Sequence, residues 1–417
     1  MIKRTTCRIS GEPLEELFSL GSLYVSDFLE QGVSSSSEDK VDLTLCLAPK
    51  SELVQLNCTA DLDRMYSGRY WYCSGTNDSM VTELKGIVRS ITNLVELEKG
   101  DVWLDIGCND GTLLKEVPDG MIKVGFDPSK TNYLQAKSID DAIIINDYFN
   151  TSAFSENCNK RAKVITSIAM MYDLEDPHQF VEEVQNSLED DGIWIVQLSY
   201  LPLMLCQLAF DNICHEHLEY YSLRVLKNLL DEHDFEIVDF STNDTNGGSC
   251  RLYIQKSCCN HKNFGTAPFR DVAKFRLDSA LAYEEVMGLA NHDTYVEFFK
   301  KIESLKHQTM NFLESAKSKG KKIWGYGAST KGNTLLQYFG IDYRLVDAIA
   351  ERQPTKYGLR TTGTEIPIKS ESDFRKARPD YCLVLPWHFI NEFKNREKKY
   401  LDQGGKFIVP CPTFEII

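Results

Sequence analysis

The chain has 417 residues, of which 42% are hydrophobic, and this length suffices for two or three domains with a large core. No apolar run approaches the roughly 18 residues that cross a bilayer, and the N-terminus lacks an apolar signal segment, so we expect a cytoplasmic protein without a membrane segment. The net charge of −15 argues against nucleic acid as a partner, because neutralising phosphates requires a basic face. The thirteen cysteines are scattered and no signal peptide is evident, so they are predicted to be reduced thiols.

The first 65 residues predict a small β-rich domain. They contain little helical pattern, two short β-like runs at 41–45 and 53–56, and a polar insert at 32–39. Short apolar runs bounded by polar, glycine-containing segments are typical of strands joined by turns. We therefore expect a separate β-rich domain at 1–65.

Residues 102–114 are the most informative stretch of the chain. An apolar run, predicted to be a strand, is followed by a glycine-containing loop and then by an apolar run of helical character. A strand, a tight turn and a helix start mark the position where an open α/β sheet binds a nucleotide-like ligand. The loop fits neither the phosphate-binding GxxxxGK[ST] pattern nor GxGxxG. The candidate cofactor residues here are Asp105, Gly107, Asn109, Asp110 and Gly111.

Further strand–helix alternation supports this interpretation. Asp127 follows a second predicted strand about 20 residues beyond the loop, which is the spacing of a ribose-binding carboxylate. A third strand ends near Asp147, which suits the adenine edge, and a fourth ends at Ser167, a further candidate cofactor residue. A fifth strand at 192–197 comes after a predicted helix at 177–188. Strands that alternate with helices imply a parallel sheet.

The alternation divides the rest of the chain into two parts. Residues 66–256 carry the sheet just described, with an extra segment at 200–255. Residues 265–318 have the charged faces and apolar spacing of long helices. Strand–helix alternation resumes at 319–417, where one strand is predicted over 343–349. We therefore predict an α/β fold in which 257–417 forms a helical connector and a C-terminal Rossmann-like domain.

A second glycine loop lies in this C-terminal part. Gly-Tyr-Gly at 325–327 follows a predicted strand and precedes a predicted helix at 332–339, and a possible ribose-binding acid follows at Asp347 or Glu351. The third glycine falls two positions late for GxGxxG, so we expect this loop to hold the nucleotide or sugar of a substrate and not NAD. Lys331 could meet a diphosphate as a point charge or lie in solvent at the helix start.

Two resemblances follow from these motifs. Asp-x-Gly-x-Asn-x-Gly at 105–111 resembles motif I of class I S-adenosylmethionine (SAM) methyltransferases. With four further segments it makes the chain resemble, over nearly its whole length, the three-domain sugar C-methyltransferases that act on nucleotide-linked deoxyketosugars. Those segments are Tyr-Trp-Tyr-Cys-Ser-Gly at 70–75, His-Glu-His at 215–217, Asn-Gly-Gly-Ser-Cys-Arg at 246–251 and Gly-Tyr-Gly-Ala-Ser-Thr-Lys-Gly-Asn at 325–333. The resemblance implies a class I SAM-methyltransferase domain in the middle, SAM as cofactor and a nucleotide-linked sugar as substrate; we expect a monomer.

His-Glu-His is the predicted source of the catalytic base. C-methylation beside a ketone requires removal of the α-proton, and a histidine of near-neutral pKa suits that step. The resemblance implies His217 as the base, with Glu216 supporting it. If the segment is extended, His215 and His217 point to one face, so the two could instead bind a metal, although no third ligand stands at a metal-binding spacing. We predict no metal and keep His215 as a further catalytic candidate.

Aromatic and polar residues of the resembling segments complete the predicted site. The resemblance brings a tyrosine from the N-terminal side into the active site, where a phenol could donate to an enolate oxygen or protonate an intermediate. We prefer Tyr72 to Tyr70, and either could instead belong to an aromatic cluster of the β-rich region. The candidate substrate-binding residues are Tyr220, Asn246, Arg251, Tyr326 and Lys331.

The sequence departs from the resembling family at its two N-terminal cysteine pairs and at two further positions. The family carries two zinc-binding Cys-x-x-Cys pairs near the N-terminus, whereas here Cys7 and Cys46 each lack their second cysteine. Four-coordinate structural zinc needs four ligands, so we predict that zinc is absent. Cys214 and Asn246 stand where the family more often has tyrosine and histidine, and the first change removes a hydroxyl near the base.

The leading functional hypothesis is SAM-dependent methylation of a carbon, C3 by preference, next to the ketone of a nucleotide-linked 4-keto-deoxy sugar through a base-generated enolate. The alternative is an O- or N-methyltransferase acting on a sugar or other small molecule, which needs no carbon acid. A binding protein with a decayed SAM site is disfavoured by the intact Asp105, Gly107, Gly111 and Asp127.

Overall fold

The computed structural model describes residues 1–67, 70–259 and 264–417, without the side chains of residues 37, 64, 67, 267 and 268. Over these ranges the strands form three large sheets and two two-stranded ones. The large sheets belong to an N-terminal, a central and a C-terminal part of the chain. This architecture confirms the predicted α/β class with a β-rich N-terminal part.

The N-terminal part consists mainly of antiparallel strands. In chain order they are β1 (Ile2–Lys3), β2 (Glu15–Tyr24), β3 (Phe28–Leu29), β4 (Lys40–Leu47), β5 (Val54–Leu56) and β6 (Cys58–Thr59). β4 lies between β2 and β5 in one sheet, and a short strand from the central part pairs with the free edge of β5. The predicted runs at 41–45 and 53–56 fall in β4 and β5, and the polar insert at 32–39 is a loop with one helical turn.

Two loops of this part meet at Glu12. Its Oε1 accepts hydrogen bonds from the Ser10 hydroxyl at 2.9 Å and from the Ser51 N–H at 2.8 Å, and the Lys50 N–H donates to its Oε2 at 3.0 Å. Cys7 Sγ lies 3.4 Å from Ser51 Oγ and accepts from two backbone N–H groups that follow it. Among these side chains only Cys7 carries a thiol, so the group does not fit the four-ligand zinc site of the resembling family.

The central part is a seven-stranded sheet flanked by helices. Its elements in chain order are α1 (Asp78–Leu94), β7 (Val102–Ile106), β8 (Ile122–Phe126), α2 (Lys130–Ala136), β9 (Ala142–Ile145), α3 (Thr151–Asn157), β10 (Ala162–Ile168), α4 (Pro177–Ser187), β11 (Leu188–Ser199), α5 (Leu201–Cys206), β12 (Glu219–Tyr220), α6 (Leu223–Asp231), β13 (Phe235–Asn243) and β14 (Ser249–Lys256). The spatial order is β13-β14-β11-β10-β7-β8-β9, with β7 to β11 parallel and the last two strands antiparallel. β12 leaves this sheet and pairs with β5.

Alternation along the buried strands places apolar side chains on both faces of the central sheet. Trp103 packs in one cluster with residues of α1, whereas its neighbour Leu104 packs in another with residues of α4 and α6. All five residues of β7 are buried. A strand covered on both faces explains the nearly continuous apolar run that precedes the glycine loop.

The C-terminal part begins with two long helices and continues as a second α/β sheet. Its elements are α7 (Ala267–Met287), α8 (His292–Ser318), β15 (Ile323–Tyr326), α9 (Thr330–Phe339), β16 (Ile349–Glu351), β17 (Arg360–Thr361), β18 (Ile368–Ser370), α10 (Glu371–Ala377), β19 (Tyr381–Val384), α11 (Ile390–Arg396), α12 (Lys398–Asp402), β20 (Lys406–Val409) and β21 (Glu415–Ile416). The order is β18-β16-β15-β19-β20-β21, and β17 pairs with β3 of the N-terminal part. Within the described ranges, no helix combines the length and apolar character needed to cross a membrane.

Two predicted elements differ from the observed ones. The helix expected after the glycine loop is only a short 3-10 turn, Leu114–Glu116, because Pro118 disfavours helical geometry at the preceding residue. The strand expected from 343 onward begins only at Ile349. At the start of the predicted strand, the Asp342 side chain accepts a hydrogen bond from the Arg344 N–H at 2.9 Å, and this contact favours a turn.

Candidate active site

A cavity of about 320 Å³, here called the main cavity, lies where the parts of the chain meet. On one side are the carboxyl ends of the parallel strands β7, β8 and β10, the position at which open α/β sheets bind ligands. On the other side are the turn that carries His-Glu-His and the start of α9.

The glycine loop after β7 has the backbone that its sequence requires. Gly107 has φ 74° and Gly111 has φ 75°, in the left-handed region that favours glycine. Gly107 borders the main cavity. A Cβ at Gly111 would lie 2.5 Å from Ile139 Cδ1 and 3.3 Å from Ala136, so this glycine is needed for packing against the end of α2.

Asp105 and Asp127 both border the main cavity. The Thr166 hydroxyl donates to Asp105 at 2.6 Å, and burial raises the pKa of Asp105 to about 7. Asp127 accepts from the N–H groups of Asn109 at 2.9 Å and Ser129 at 2.8 Å, and burial raises its pKa to about 6. Each Asp127 oxygen retains a lone pair beyond these bonds, so the carboxylate can accept hydroxyl groups of a ligand.

Asn109 and Asp110 hold the segment that precedes α1. The Asn109 side chain accepts from the Ser74 N–H at 2.9 Å and donates to the Tyr72 carbonyl oxygen at 3.1 Å. Asp110 accepts from the Gly75 N–H at 2.8 Å and from the hydroxyl of Thr112 at 2.6 Å. Asn109 borders the main cavity and Asp110 does not. Both residues therefore hold the segment before α1 in place, whether or not they also bind a ligand.

The remaining predicted cofactor residues differ in position. Asp147 borders the main cavity after β9, as expected for the adenine edge. Ser167 lies inside the sheet and accepts from the Trp194 indole N–H at 3.1 Å. It does not border the cavity, since its hydroxyl points into the core next to β11.

The His-Glu-His segment forms a turn and not the extended chain that would bring both histidines to one face. The His217 N–H donates to the Cys214 carbonyl oxygen at 3.1 Å. His215 points away from the main cavity, and its Nε2–H donates to the Val41 carbonyl oxygen of β4 at 3.0 Å. Burial lowers the pKa of His215 to about 4. The structure thus separates His215 from Glu216 and His217, which both border the cavity.

His217 is held as a neutral imidazole. Its side chain is buried, hydrogen-bonds the backbone of Asn212, and lies with its ring centroid 4.2 Å from that of Tyr172. Burial, followed by the charge of Lys331, lowers the pKa of His217 well below its ordinary value. A neutral imidazole that donates through one nitrogen keeps a lone pair on the other, so His217 can accept a proton.

Glu216 faces the start of α9. Its carboxyl group hydrogen-bonds the Thr330 side chain, and burial raises its pKa to about 7, an effect that the charge of Lys331 partly offsets. A carboxyl group with this pKa can give or accept a proton near neutral pH. Lys331, predicted to contact a diphosphate, borders the main cavity beside Glu216.

Tyr70 and Tyr72 also border the main cavity. The Tyr70 ring centroid lies 5.6 Å from that of Tyr66, and Tyr72 is 37% exposed with its side chain hydrogen-bonded to Ser74. Desolvation by the surrounding protein raises the pKa of both tyrosines, although part of the Tyr72 surface stays exposed, so each remains a protonated phenol at neutral pH. Both are therefore placed to donate a hydrogen bond into the cavity.

Among the residues that border the main cavity and that sequence reasoning missed are Tyr66, Tyr172 and Asp173. The Tyr66 hydroxyl donates to the Glu216 carbonyl oxygen at 3.1 Å and hydrogen-bonds the Asp173 carboxyl group. Asp173 Oδ1 has no hydrogen-bond partner among the described residues, and burial raises the pKa of this carboxyl group above its usual range. Two of the three closely follow β10, so the rule that ligands bind at strand carboxyl ends could have identified them.

The predicted substrate residues are not gathered at one place. Asn246 borders the main cavity, with φ 54°. Tyr220 lies beneath the turn, and its hydroxyl donates to the His217 carbonyl oxygen at 3.1 Å. Arg251 donates to Gln197 at 2.9 Å and does not border this cavity. Tyr220 and Arg251 are therefore positioned as structural contacts of the central part.

A second cavity of about 150 Å³ lies at the carboxyl ends of β15 and β16. Tyr326 and Glu351 border it, whereas Asp347 does not, so Glu351 is the acid that follows the second glycine loop in space. Tyr72 and Thr330 border both cavities, which are thus neighbours across the segment that precedes α1. The basic side chains that border the second cavity are Arg352, Lys356 and Arg396.

Cys214, Glu216 and His217 are the one group of three or more possible metal ligands within the described ranges, with ligand atoms within 4.8 Å of one another. The alternative metal pair of His215 and His217 does not form, because His215 faces β4. Burial raises the pKa of the Cys214 thiol well above its ordinary value, and the charge of Lys331 lies beside the group. A protonated thiol and a neighbouring cation both oppose metal binding.

Comparison with known sequences matches two regions of the chain. Residues 82–239 match a family described as methyltransferase domain, and residues 244–412 match one described as C-methyltransferase C-terminal domain. The chain is also 27% identical over 417 residues to C-methyltransferase NovU of Streptomyces niveus, with 99% of this chain and 96% of that protein aligned.

Two solved methyltransferase structures match part of the chain. The plantazolicin methyltransferase BpumL, in complex with SAH, has 15% identity and a TM-score of 0.34 over 42% of this chain and 83% of its own. The magnesium protoporphyrin IX methyltransferase (ChlM) of Synechocystis PCC 6803, with bound SAH, has 13% identity and a TM-score of 0.34 over 43% of this chain and 88% of its own.

Proposed function

Because this chain is a SAM-dependent methyltransferase whose similarity extends along the whole of a C-methyltransferase, we propose that it methylates the carbon next to the ketone of a nucleotide-linked 4-keto-deoxy sugar, C3 by preference. One observation carries the proposal: His217, buried and neutral, shares a cavity with the carboxylates predicted to hold SAM. A carbon acid requires such a base, whereas an O- or N-methyltransferase needs no carbon acid, and a metal pair or a simple base would suffice for it.

Residues at the carboxyl ends of β7, β8 and β9 fit SAM. Asp127 has lone pairs free for the ribose hydroxyls, Asp147 lies where an adenine edge would be read, and Gly107 presents backbone without a side chain to the cavity. When bound, SAM supplies an electrophilic methyl group.

His217 takes the proton from the carbon beside the ketone. The electron pair of that carbon–hydrogen bond forms a carbon–carbon double bond, and the carbonyl π electrons move onto oxygen to give an enolate. The enolate carbon then bonds to the methyl group as the methyl–sulfur bond breaks, and the carbonyl re-forms. Glu216 immediately precedes His217 in the turn and supports the imidazolium that results.

The second cavity suits the nucleotide of the substrate. It shares Tyr72 and Thr330 with the main cavity, which supports placing one substrate molecule across both. Arg352, Lys356 and Arg396 supply positive charge for a diphosphate. We therefore place the keto sugar in the main cavity and the nucleoside diphosphate in the second.

Deuterium exchange tests the proposal. The wild-type protein is incubated in heavy water, without SAM, with 4-keto-6-deoxyglucose linked to dTDP, GDP or CDP, and deuterium at C3 is followed by NMR. We expect exchange with at least one of these sugars, and C-methylation of the same sugar once SAM is added. The matched control is His307→Ala, an exposed histidine of α8, which should exchange at the wild-type rate.

Two results would oppose carbon methylation. Methyl transfer to oxygen or nitrogen of a substrate that shows no exchange would favour the alternative activity. Loss of that transfer on metal chelation, restored by a divalent ion, would assign the Cys214, Glu216 and His217 group to metal binding.

A further inference from the structure

Lys331 is the only lysine or arginine among the described residues that border the main cavity. It is the second residue of α9, and its side chain reaches from the C-terminal part to the central part. There its ammonium donates to the Asn212 side-chain oxygen and to the Asn246 carbonyl oxygen at 3.5 Å. An ammonium has three N–H donors, so one donor remains for a ligand in the cavity.

The surroundings of Lys331 are unsuited to a diphosphate. Three carboxyl groups lie close enough to interact with the ammonium, those of Asp173, Asp211 and Glu216. A dianion placed there would meet these acids when they are ionised, and like charges in a cavity with little water repel strongly. The second cavity, which Lys331 does not border, is lined by three basic side chains and two acidic ones, Glu351 and Glu371.

We propose that Lys331 is a catalytic residue that stabilises the enolate oxygen. This proposal rests on the proposed function. As His217 removes the carbon-bound proton, negative charge develops on the carbonyl oxygen. The remaining N–H of Lys331 donates to that oxygen and keeps its proton. The bond weakens again when the carbon–methyl bond forms and the carbonyl returns, so the ammonium assists the charged stage more than the ground state.

Position and charge support this role. Lys331 lies in the same cavity as His217, and its charge affects the titration of both His217 and Glu216. Asn212 accepts from the ammonium and also accepts, through its backbone, from the His217 ring. One residue thus fixes the base and the cation relative to each other, which is the preorganisation that oxyanion stabilisation requires.

The test compares Lys331→Met, which removes the charge at similar length, with Lys331→Arg, which keeps it. For the full chain at saturating nucleotide-linked keto sugar without SAM, we expect Lys331→Met to lower the exchange rate by about 10²- to 10³-fold, and Lys331→Arg to lower it less. The affinity for the free nucleoside diphosphate, measured by calorimetry, should stay within about twofold in both. SAM binding and melting temperature report whether each variant folds; if Lys331→Met does not, Lys331→Gln replaces it.

The outcomes separate this inference from the proposed function. Lys331→Met could exchange at the wild-type rate and bind the nucleoside diphosphate more weakly. That result would make Lys331 a phosphate contact; it would overturn this inference and leave the proposed function standing. Absence of exchange in the wild-type protein with every sugar would overturn the proposed function and this inference with it. Slow exchange in Lys331→Met with unchanged nucleotide affinity supports the catalytic role.

Discussion

His215 and His217 are two residues apart, yet their neighbours give them different properties. His215 donates to a backbone carbonyl of β4 and serves the contact between two parts of the chain. His217 donates to the backbone of Asn212 and borders the main cavity. A single turn therefore separates a structural histidine from a candidate base.

We expect His217→Ala to lower both isotope exchange and methyl transfer by about 10²- to 10⁴-fold, because the general base is lost. SAM affinity, measured by calorimetry, should be unchanged, since the predicted SAM contacts lie on other strands. His307→Ala serves as the control. Full turnover by His217→Ala would remove this residue from the mechanism.

The raised pKa of Asp127 predicts a pH dependence of SAM binding. Ribose hydroxyls donate to the ionised carboxylate, so a protonated Asp127 must lose its proton when SAM binds. With a pKa of about 6, SAM affinity should be constant above pH 7 and fall, by up to about tenfold per unit, as the pH drops through 6.

Calorimetric titrations between pH 5 and 8 check this expectation, with Asp127→Asn as the companion variant. The variant should bind SAM more weakly and lose the slope near pH 6. A slope that persists in Asp127→Asn and is centred near pH 7 would instead point to Asp105, whose pKa is about 7.

At the scale of elements, backbone conformation decides which glycines tolerate a side chain. Gly111 has positive φ, and a Cβ there would meet Ile139, so Gly111→Ala should lower the free energy of unfolding by more than about 1 kcal/mol. Gly86 is an exposed residue inside α1, and a Cβ added to it would have no other atom within 4 Å. Gly86→Ala should therefore raise the free energy of unfolding by about 0.5–1 kcal/mol. Urea denaturation measures both, and equal effects would contradict this account.

Glu12 joins two loops of the N-terminal part, and its removal should weaken their contact. Glu12→Ala removes acceptors from three donors, so we expect a loss of about 1–3 kcal/mol in the free energy of unfolding. Glu15→Ala, an exposed position of β2, should change it by less than about 0.5 kcal/mol. Thermal melting with and without EDTA tests the zinc prediction as well. If EDTA lowered the melting temperature of the wild-type protein, that result would show that zinc binds these loops.

Among the described residues, lysine and arginine side chains are distributed unevenly between the two cavities: one borders the main cavity and three border the second. Arg352 borders the second cavity and is paired with Asp78 at 3.5 Å. We expect Arg352→Gln to raise the KM of the nucleotide sugar by about tenfold, because a charge-assisted phosphate contact is lost, with kcat nearly unchanged. Arg344→Gln, at an exposed arginine outside both cavities, is the matched control. Steady-state kinetics would contradict the assignment if both variants behaved alike.

Sequence patterns predicted the parallel sheet, the glycine loop and the long helices, because each depends on local periodicity and turn chemistry. The enzyme class, which motif I and the resemblance predicted, is confirmed by the matched methyltransferase domain and the full-length relative. The direction of His215 and the reach of Lys331 into the main cavity could not be predicted, since both depend on contacts between distant segments. Asp173 was missed for the same reason, although its position after β10 was a usable signal.

The pairing of β12 with β5 bears on how the protein acquires activity during folding. The turn that carries Glu216 and His217 immediately precedes β12, and its geometry depends on a partner strand far away in sequence. Closing such a large loop costs entropy and slows folding relative to the more local pairing of β7 with β8. During refolding from urea, SAM binding should therefore recover before isotope exchange. The delay between the two recoveries would measure how long the N-terminal sheet takes to pair with β12.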